Sequence, residues 1–296
     1  LWRGEAVAFP RKDGTPHALV TQPRPVSAEL PVWVTTAGNP ETWTEAGRTG
    51  CNVLTHLLGQ SIDEVADKIR LYHEALRGAG HDPKDFTVTL MLHTFLAATR
   101  DEAREVARGP MKDYLRSAAG LIKQYAWAFP AFKKPAGTTN PFEIDLEGLS
   151  AEEMDAILEF AFQRYFNDSG MFGTVADGLA RAEQLKRIGV DEIACLIDYG
   201  IPTDKVMAGL KPLAEAAGVV LEILTGRDKG SERKAKLAAL ERGDIQILVG
   251  THAVFQRDVV FQDLRLAVVD EQHRFGVAQR MELGAKGRAV DVLVMT

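Results

Sequence analysis

Two places in the chain set chemistry-bearing residues at the ends of apolar runs. The first is Leu264–Val269, followed at once by Asp270 and Glu271. A carboxylate at the end of a buried strand can hold Mg²⁺ through water, and its neighbour can polarise an attacking water, as nucleotide hydrolysis requires. Taken alone, an apolar run ending in acids is equally an ordinary strand end. Two companions sharpen it. Leu248-Val-Gly-Thr-His-Ala253 ends a strand in small polar residues suited to a nucleic-acid backbone, and Thr225-Gly-Arg-Asp-Lys-Gly230 reads as a flexible basic loop able to contact phosphate. The phosphate-cradling pattern Gly-x-x-x-x-Gly-Lys-Ser/Thr occurs nowhere in the 296 residues. The second place is Pro31-Val-Trp-Val-Thr-Thr-Ala-Gly-Asn-Pro-Glu-Thr42, where small and polar residues lie between a strand and a helix start. Free backbone N–H groups and the helix dipole favour a phosphate there. The alternative is a plain turn with Asn39 and Thr42 as caps.

The elements that must position these residues alternate strand and helix. Residues 1–30 are rich in Pro, Gly and charge and read as a long loop. Strands are expected at 31–36, 51–55, 86–97 and 192–197. Helices are expected from about Glu41, from Ser61 with Glu64, from Thr99 with Glu102, from Ser150 with Glu153 and from Thr174. The stretch 129–149, with Pro130, Pro135 and Pro141, reads as irregular. A second series has strands at 219–224, 245–249, 265–269 and 290–295, with a helix at 231–241. Apolar strands separated by helices predict parallel sheets covered by helices. The fold class is α/β. The first series is half of an eight-stranded (β/α) barrel, about four units, with an open four-stranded sheet as the alternative. The second is a partial parallel α/β sheet.

Composition describes a globular chain with room for one large barrel or two medium domains: 46% hydrophobic and 26% charged. No apolar run reaches the roughly 18 residues of a membrane span, so no membrane partner is expected. There is no secretory leader pattern, and Cys51 and Cys195 stand isolated, which together point to a reducing, cytoplasmic setting. Net charge is −6, and residues 219–296 hold 12 basic against 11 acidic residues, so the acid lies upstream. An acidic first part argues against nucleic acid as its partner, whereas the near-neutral second part leaves DNA open. The chain starts at Leu1 and stops at Met295-Thr296 beside a strand, which reads as a cut at both ends.

Four ordered blocks carry a resemblance: Pro31–Gly59, Thr87–Leu96, Glu159–Gly173 and Gly189–Asp198. Together they resemble the luciferase-like, FMN-dependent monooxygenases, in particular those of natural-product biosynthesis, over residues 1–212. The resemblance implies the C-terminal half of a TIM-like barrel that binds reduced FMN, activates O₂ and oxidises a small organic substrate. It also implies a flavin reductase or carrier protein as partner. It places Thr36, Ala37, Gly38 and Asn39 at the flavin phosphate; His56 is either at the barrel mouth in a catalytic position or a buried or rim histidine with no chemical role, and Asp198 either touches flavin or substrate or only caps a loop. His93 either points at the ring or is a satisfied core residue. The aromatic residues at 125–132 and 160–172 either cover an apolar substrate or pack helices. The cofactor carries the oxygen chemistry, so no obligatory catalytic side chain has to be visible.

Residues 213–296 resemble part of the first motor domain of the RecG family of ATP-dependent DNA helicases. The carrying residues are Asp270-Glu-Gln-His273, Val249-Gly-Thr-His-Ala253 and Phe275-Gly-Val-x-Gln-Arg280. This resemblance implies a RecA-like sheet, with Asp270 and Glu271 as catalytic and metal residues for Mg-ATP. Gln272 and His273 would couple nucleotide to movement, and Gly250, Thr251 and His252 would face DNA. Without the phosphate loop, ATP binding should be lost or very weak. The two resemblances meet at Leu210–Gly218 with no Gly/Ser or Pro linker. One helix serves both families, so the sequence reads as a chimera of two fragments, divided as 1–212 and 213–296, with a folded protein of neither activity as the third reading.

Overall fold

A computed structural model describes residues 1–296 apart from 23, 26, 130–139, 141, 142, 144, 145, 147, 271–275, 277–281, 289 and 296. Where a loop is expected at the start, two strands form a hairpin. β1 (Val7–Pro10) pairs antiparallel with β2 (Pro16–Leu19). Asp13 ties the turn, accepting from the Thr15 N–H at 3.0 Å and hydroxyl at 2.7 Å, while Gly14 takes φ +81°. Pro10 and Pro16 sit at the strand ends and Gly14 in the turn, where they cost the ladder nothing.

The central sheet is parallel. β3 (Trp33–Thr35), β4 (Asn52–His56) and β5 (Val88–Leu96) pair in chain order, and β7 (Glu192–Leu196) pairs with β5. A short strand absent from the sequence reading, β6 (Met171–Gly173), pairs with the C-terminal end of β5. Among the described residues β3 and β7 are free edges and the barrel does not close. Between the strands run α1 (Pro40–Thr49), α2 (Ile62–Gly78), α6 (Val175–Arg187) and α7 (Thr203–Ala216). The expected caps are present: Ser61 with Glu64 and Thr174 with Asp177 are reciprocal boxes, and Thr99 accepts from the Glu102 N–H.

The two sheet faces differ. Val34, Val53, Val88, Leu90 and Leu92 alternate onto one face and pack against Trp43, Ile69, Tyr72, Leu76 and Leu185. Each fully buried Leu or Ile there contributes roughly 2 kcal/mol. α1 and α2 cross closely because Gly47 has no side chain. A Cβ there would lie 2.7 Å from both the Ala75 Cβ and the Tyr72 carbonyl oxygen. The register puts His56, Met91, His93 and Leu196 on the other face. α3 (Arg100–Ser117), α4 (Ala119–Ala128) and α5 (Ala151–Arg164), then a π turn at Tyr165–Ser169, cover the part of it around Phe95. The aromatic residues Phe162, Tyr165, Phe166 and Phe172 are core here, which settles their expected alternatives toward helix packing.

The rest of the chain forms two small parallel pairs. β8 (Leu221–Leu224) pairs with β9 (Ile247–Gly250), bridged by α8 (Gly230–Arg242). β10 (Leu266–Val269) pairs with β11 (Asp291–Val294). The Thr225–Gly230 loop, expected to be flexible, is tied internally. The Asp228 carboxylate accepts from the Thr225 N–H at 2.7 Å, the Thr225 hydroxyl at 3.0 Å and the Lys236 ammonium at 2.7 Å. These bonds, Lys236 first, hold the Asp228 carboxyl down at about 2.

Candidate functional site

The β3–α1 turn is built from the strand end outward. Thr36 is buried, and its N–H donates to the Leu54 carbonyl at 2.9 Å. The Ala37 carbonyl accepts from the Trp43 indole N–H at 3.0 Å, which anchors the turn to α1. Asn39 is the N-cap, and its Oδ1 accepts from the Glu41 N–H at 3.0 Å. Pro40 has no N–H to offer. Gly38 is exposed, and a Cβ on it would meet no atom within 4 Å. The turn therefore offers open space at Gly38, while the Asn39 cap takes up the Glu41 N–H.

His56 ends β4 and is half-buried. Its Nδ1 accepts from the Leu58 N–H at 3.1 Å, so the neutral ring carries its proton on Nε2. Burial pushes its pKa down. Asp198 lies exposed beyond the end of β7.

A buried cluster gathers around His93, for which the sequence leaves two alternatives. His93 on β5 is fully buried, with its Nδ1 2.8 Å from the Tyr165 hydroxyl. Its ring meets Tyr114, Tyr165 and Tyr199 edge-on, at centroid distances of 4.4, 5.5 and 5.0 Å. Among the described residues its Nε2 has no hydrogen-bond partner, and neither has the Tyr199 hydroxyl, although both are shut off from solvent. Desolvation, with a smaller push from His56, lowers the His93 pKa to about 4. Tyr114 and Tyr199 also form the inner wall of an open cleft of 690 Å³ between α3 and the β7–α7 turn. His93 is thus a core residue on one nitrogen and unsatisfied on the other. His56, on the neighbouring strand, lies on the same sheet face, whereas Thr36–Asn39 are at the end of β3 and do not line this cleft.

In the second part, Gly250 ends β9 and Thr251 is exposed before a 3-10 turn at His252–Phe255. Asp270 is exposed just past β10. Glu271, Gln272 and His273 lie outside the described residues. Among the described residues no group of three or more His, Cys, Asp or Glu side chains is placed to hold a metal ion.

The family model for luciferase-like monooxygenases matches residues 1–192. The chain belongs to this family. A second family model, DEAD/DEAH box helicase, matches residues 203–294 and does not overlap the first. In that region the chain is 48% identical over 100 residues to the ATP-dependent DNA helicase RecG of Pasteurella multocida (strain Pm70), covering 34% of this chain and 14% of that protein. It is 45% identical over 103 residues to the RecG of Bacillus subtilis (strain 168), covering 35% and 15%. The chain therefore spans only about a seventh of the curated relatives it matches. Among solved structures, the monooxygenase RslO1 from Streptomyces bottropensis superposes with a TM-score of 0.50 at 18% identity, over 73% of this chain and 56% of that one. This likeness gives the fold of the luciferase-like part: a parallel α/β sheet of the kind that family closes into a barrel, here with free edges. The architecture is two family segments in series, with α7 beginning where the second match begins.

Proposed function

We propose that residues 1–212 form a flavin-dependent oxidoreductase fragment and that the flavin is FMN. The observation that carries this reading is the family match over 1–192, combined with open space above Gly38 at a strand-to-helix turn. The fit is to the phosphate end: Gly38 borders that space, Thr36 and Ala37 are held beside it by their own backbone bonds, and Asn39 fixes the helix start. Reduced FMN, when bound, would supply the electrons that put one atom of O₂ on an organic substrate and release the other as water. His56 would present its Nε2–H from the end of β4, and Asp198 would stand at the rim beyond β7. A flavin reductase or carrier protein would be the partner that delivers reduced cofactor or substrate. FMN titration followed by flavin fluorescence tests this. Saturable but weak binding is expected, with less than stoichiometric flavin after gel filtration, and Gly38→Val should weaken it at least about tenfold by filling the phosphate space. No saturable binding by the parent chain would reject the flavin reading.

The 48% identity to RecG supports a second reading for residues 213–296. In it Asp270 and Glu271 serve Mg-ATP, Gly250, Thr251 and His252 face DNA, and Gln272 and His273 link the two. The chain as it stands lacks Gly-x-x-x-x-Gly-Lys-Ser/Thr, whose backbone supplies most contacts to the β- and γ-phosphates. No DNA-stimulated ATP hydrolysis is expected from it. Hydrolysis that disappears on Glu271→Gln would overturn this expectation.

A further inference from the structure

Lysine is seldom buried without a carboxylate, because an ammonium taken out of water needs an opposite charge to offset its lost hydration. Lys68 on α2 is only 8% exposed. Its Nζ donates to Gln60 Oε1 at 2.7 Å, which is a neutral amide oxygen. Among the described residues it makes no second hydrogen bond and has no carboxylate within 4 Å. Glu64 lies one turn earlier, but its carboxylate is taken up by the Ser61 N–H at 2.6 Å and the Ser61 hydroxyl at 3.0 Å. Those bonds, and more weakly the charge of Lys68, hold the Glu64 carboxyl down. Lys68 therefore keeps a positive charge that its own surroundings do not use.

The same hydrogen bonds locate that charge. Gln60 Nε2 donates to Thr55 Oγ1 at 3.2 Å. Thr55 has the parity of Val53, so it lies on the sheet face packed by α1 and α2, near the C-terminal end of β4. Thr36 has the parity of Val34 on β3, and the register Thr35↔Leu54 makes it the neighbour of Thr55. Both threonines are buried. Two hydrogen bonds and one strand spacing separate Lys68 from the β3–α1 turn, on the order of 10 Å. The turn itself has no base: no Lys or Arg occurs from Thr36 to Gly47, and Glu41 and Glu45 are acids. It offers an anion dipoles and open space, but no charge.

We propose that Lys68 is the counter-charge for a phosphate group seated at the β3–α1 turn, acting from behind the strands while Gln60 holds its ammonium in place. This rests on the flavin-dependent reading above, in which the phosphate is that of FMN. Lys68 is a positioning residue, and its effect is confined to the phosphate. A buried charge is screened by salt less than a surface one. At that range it is worth about tenfold in affinity.

Titrating the full chain with FMN and with riboflavin, which lacks only the phosphate, tests this. Lys68→Met is expected to weaken FMN about tenfold and to leave riboflavin unchanged. Lys68→Arg keeps the charge and should hold FMN within about threefold of the parent. In the parent, added salt should narrow the preference for FMN over riboflavin, and in Lys68→Met it should narrow what remains by less. Circular dichroism checks the fold of each variant, and Lys68→Gln carries the same expectation if Lys68→Met does not fold. Equal weakening of both flavins would make Lys68 a purely structural residue, and an unmoved FMN affinity would leave its charge without a role at the turn. Either result overturns the proposal. If the parent binds neither flavin, the flavin reading falls and inorganic phosphate decides the rest. A ³¹P line broadening produced by the parent and not by Lys68→Met keeps the counter-charge, and no difference between the two rejects it.

Discussion

His93 makes the chain's stability depend on pH in a definite direction. Its folded pKa of about 4 lies below the ordinary 6.5 of an unfolded histidine. Between those values the unfolded state binds the extra proton, so stability rises with pH. The contribution is present above pH 6.5 and is lost as pH falls toward 4. By pH 5 the loss amounts to about 2 kcal/mol. Urea midpoints at pH 7 and pH 5 should differ accordingly, and His93→Gln should flatten the difference. An unchanged pH dependence in that variant would show that His93 is not held neutral. Tyr199 gives a second expectation. Its hydroxyl is buried without a partner among the described residues, so Tyr199→Phe should raise stability by about 1 kcal/mol. A destabilised variant would mean that the hydroxyl has a partner after all. Little of this was legible in the sequence. His93 could be read only as ring-facing or core, because the residues that define it, Tyr114, Tyr165 and Tyr199, come from separate elements. Thr36 to Asn39 were legible, because a strand end, a cap and a helix start are local features.

At the scale of elements, local signals served well and long-range ones poorly. The reciprocal boxes at Ser61, Ser150 and Thr174 are all in place, since a capping box involves only four consecutive residues. The hairpin β1–β2 and the three-residue β6 escaped notice because both are set by pairing rather than by pattern. The Thr225–Gly230 loop lost its expected freedom to Lys236, on the following helix. The closest element contact gives a test. At Gly47 any side chain must push α1 off α2. Gly47→Ala should cost about 1–3 kcal/mol by overpacking. Because α1 carries Asn39 and holds Ala37 through Trp43, the same variant should weaken FMN binding. If stability falls and FMN affinity does not, the turn is not where the flavin phosphate binds.

Across the whole molecule the stabilising contacts are uneven. The central sheet has two large cores, with Trp43, Tyr72, Phe162 and Tyr165 almost wholly buried. The later strands share two small clusters and leave Leu266, Val268 and Leu293 more than half exposed. Hydrogen exchange on the full chain should therefore show slow amides in β4, β5 and α2, and amides in β8 to β11 that exchange at least about a hundredfold faster. Uniform protection from β4 to β11 would mean that the chain unfolds as one unit. α7 links the two regions. Leu213 and Ala216 pack on the central sheet's core, and Lys211 lies 3.8 Å from Glu222 of β8.

That helix also bears on how such a chain can come to exist. A strand needs a partner with matching register, and a loop must reach between fixed ends. A helix makes its backbone bonds within itself and asks of its neighbours only a greasy stripe. Two unrelated coding sequences exchanged within α7 would keep its internal backbone bonds, apart from the one that Pro212 cannot donate, provided that Leu213 and Ala216 still faced inward. A genetic crossover within α7 therefore does little physical harm.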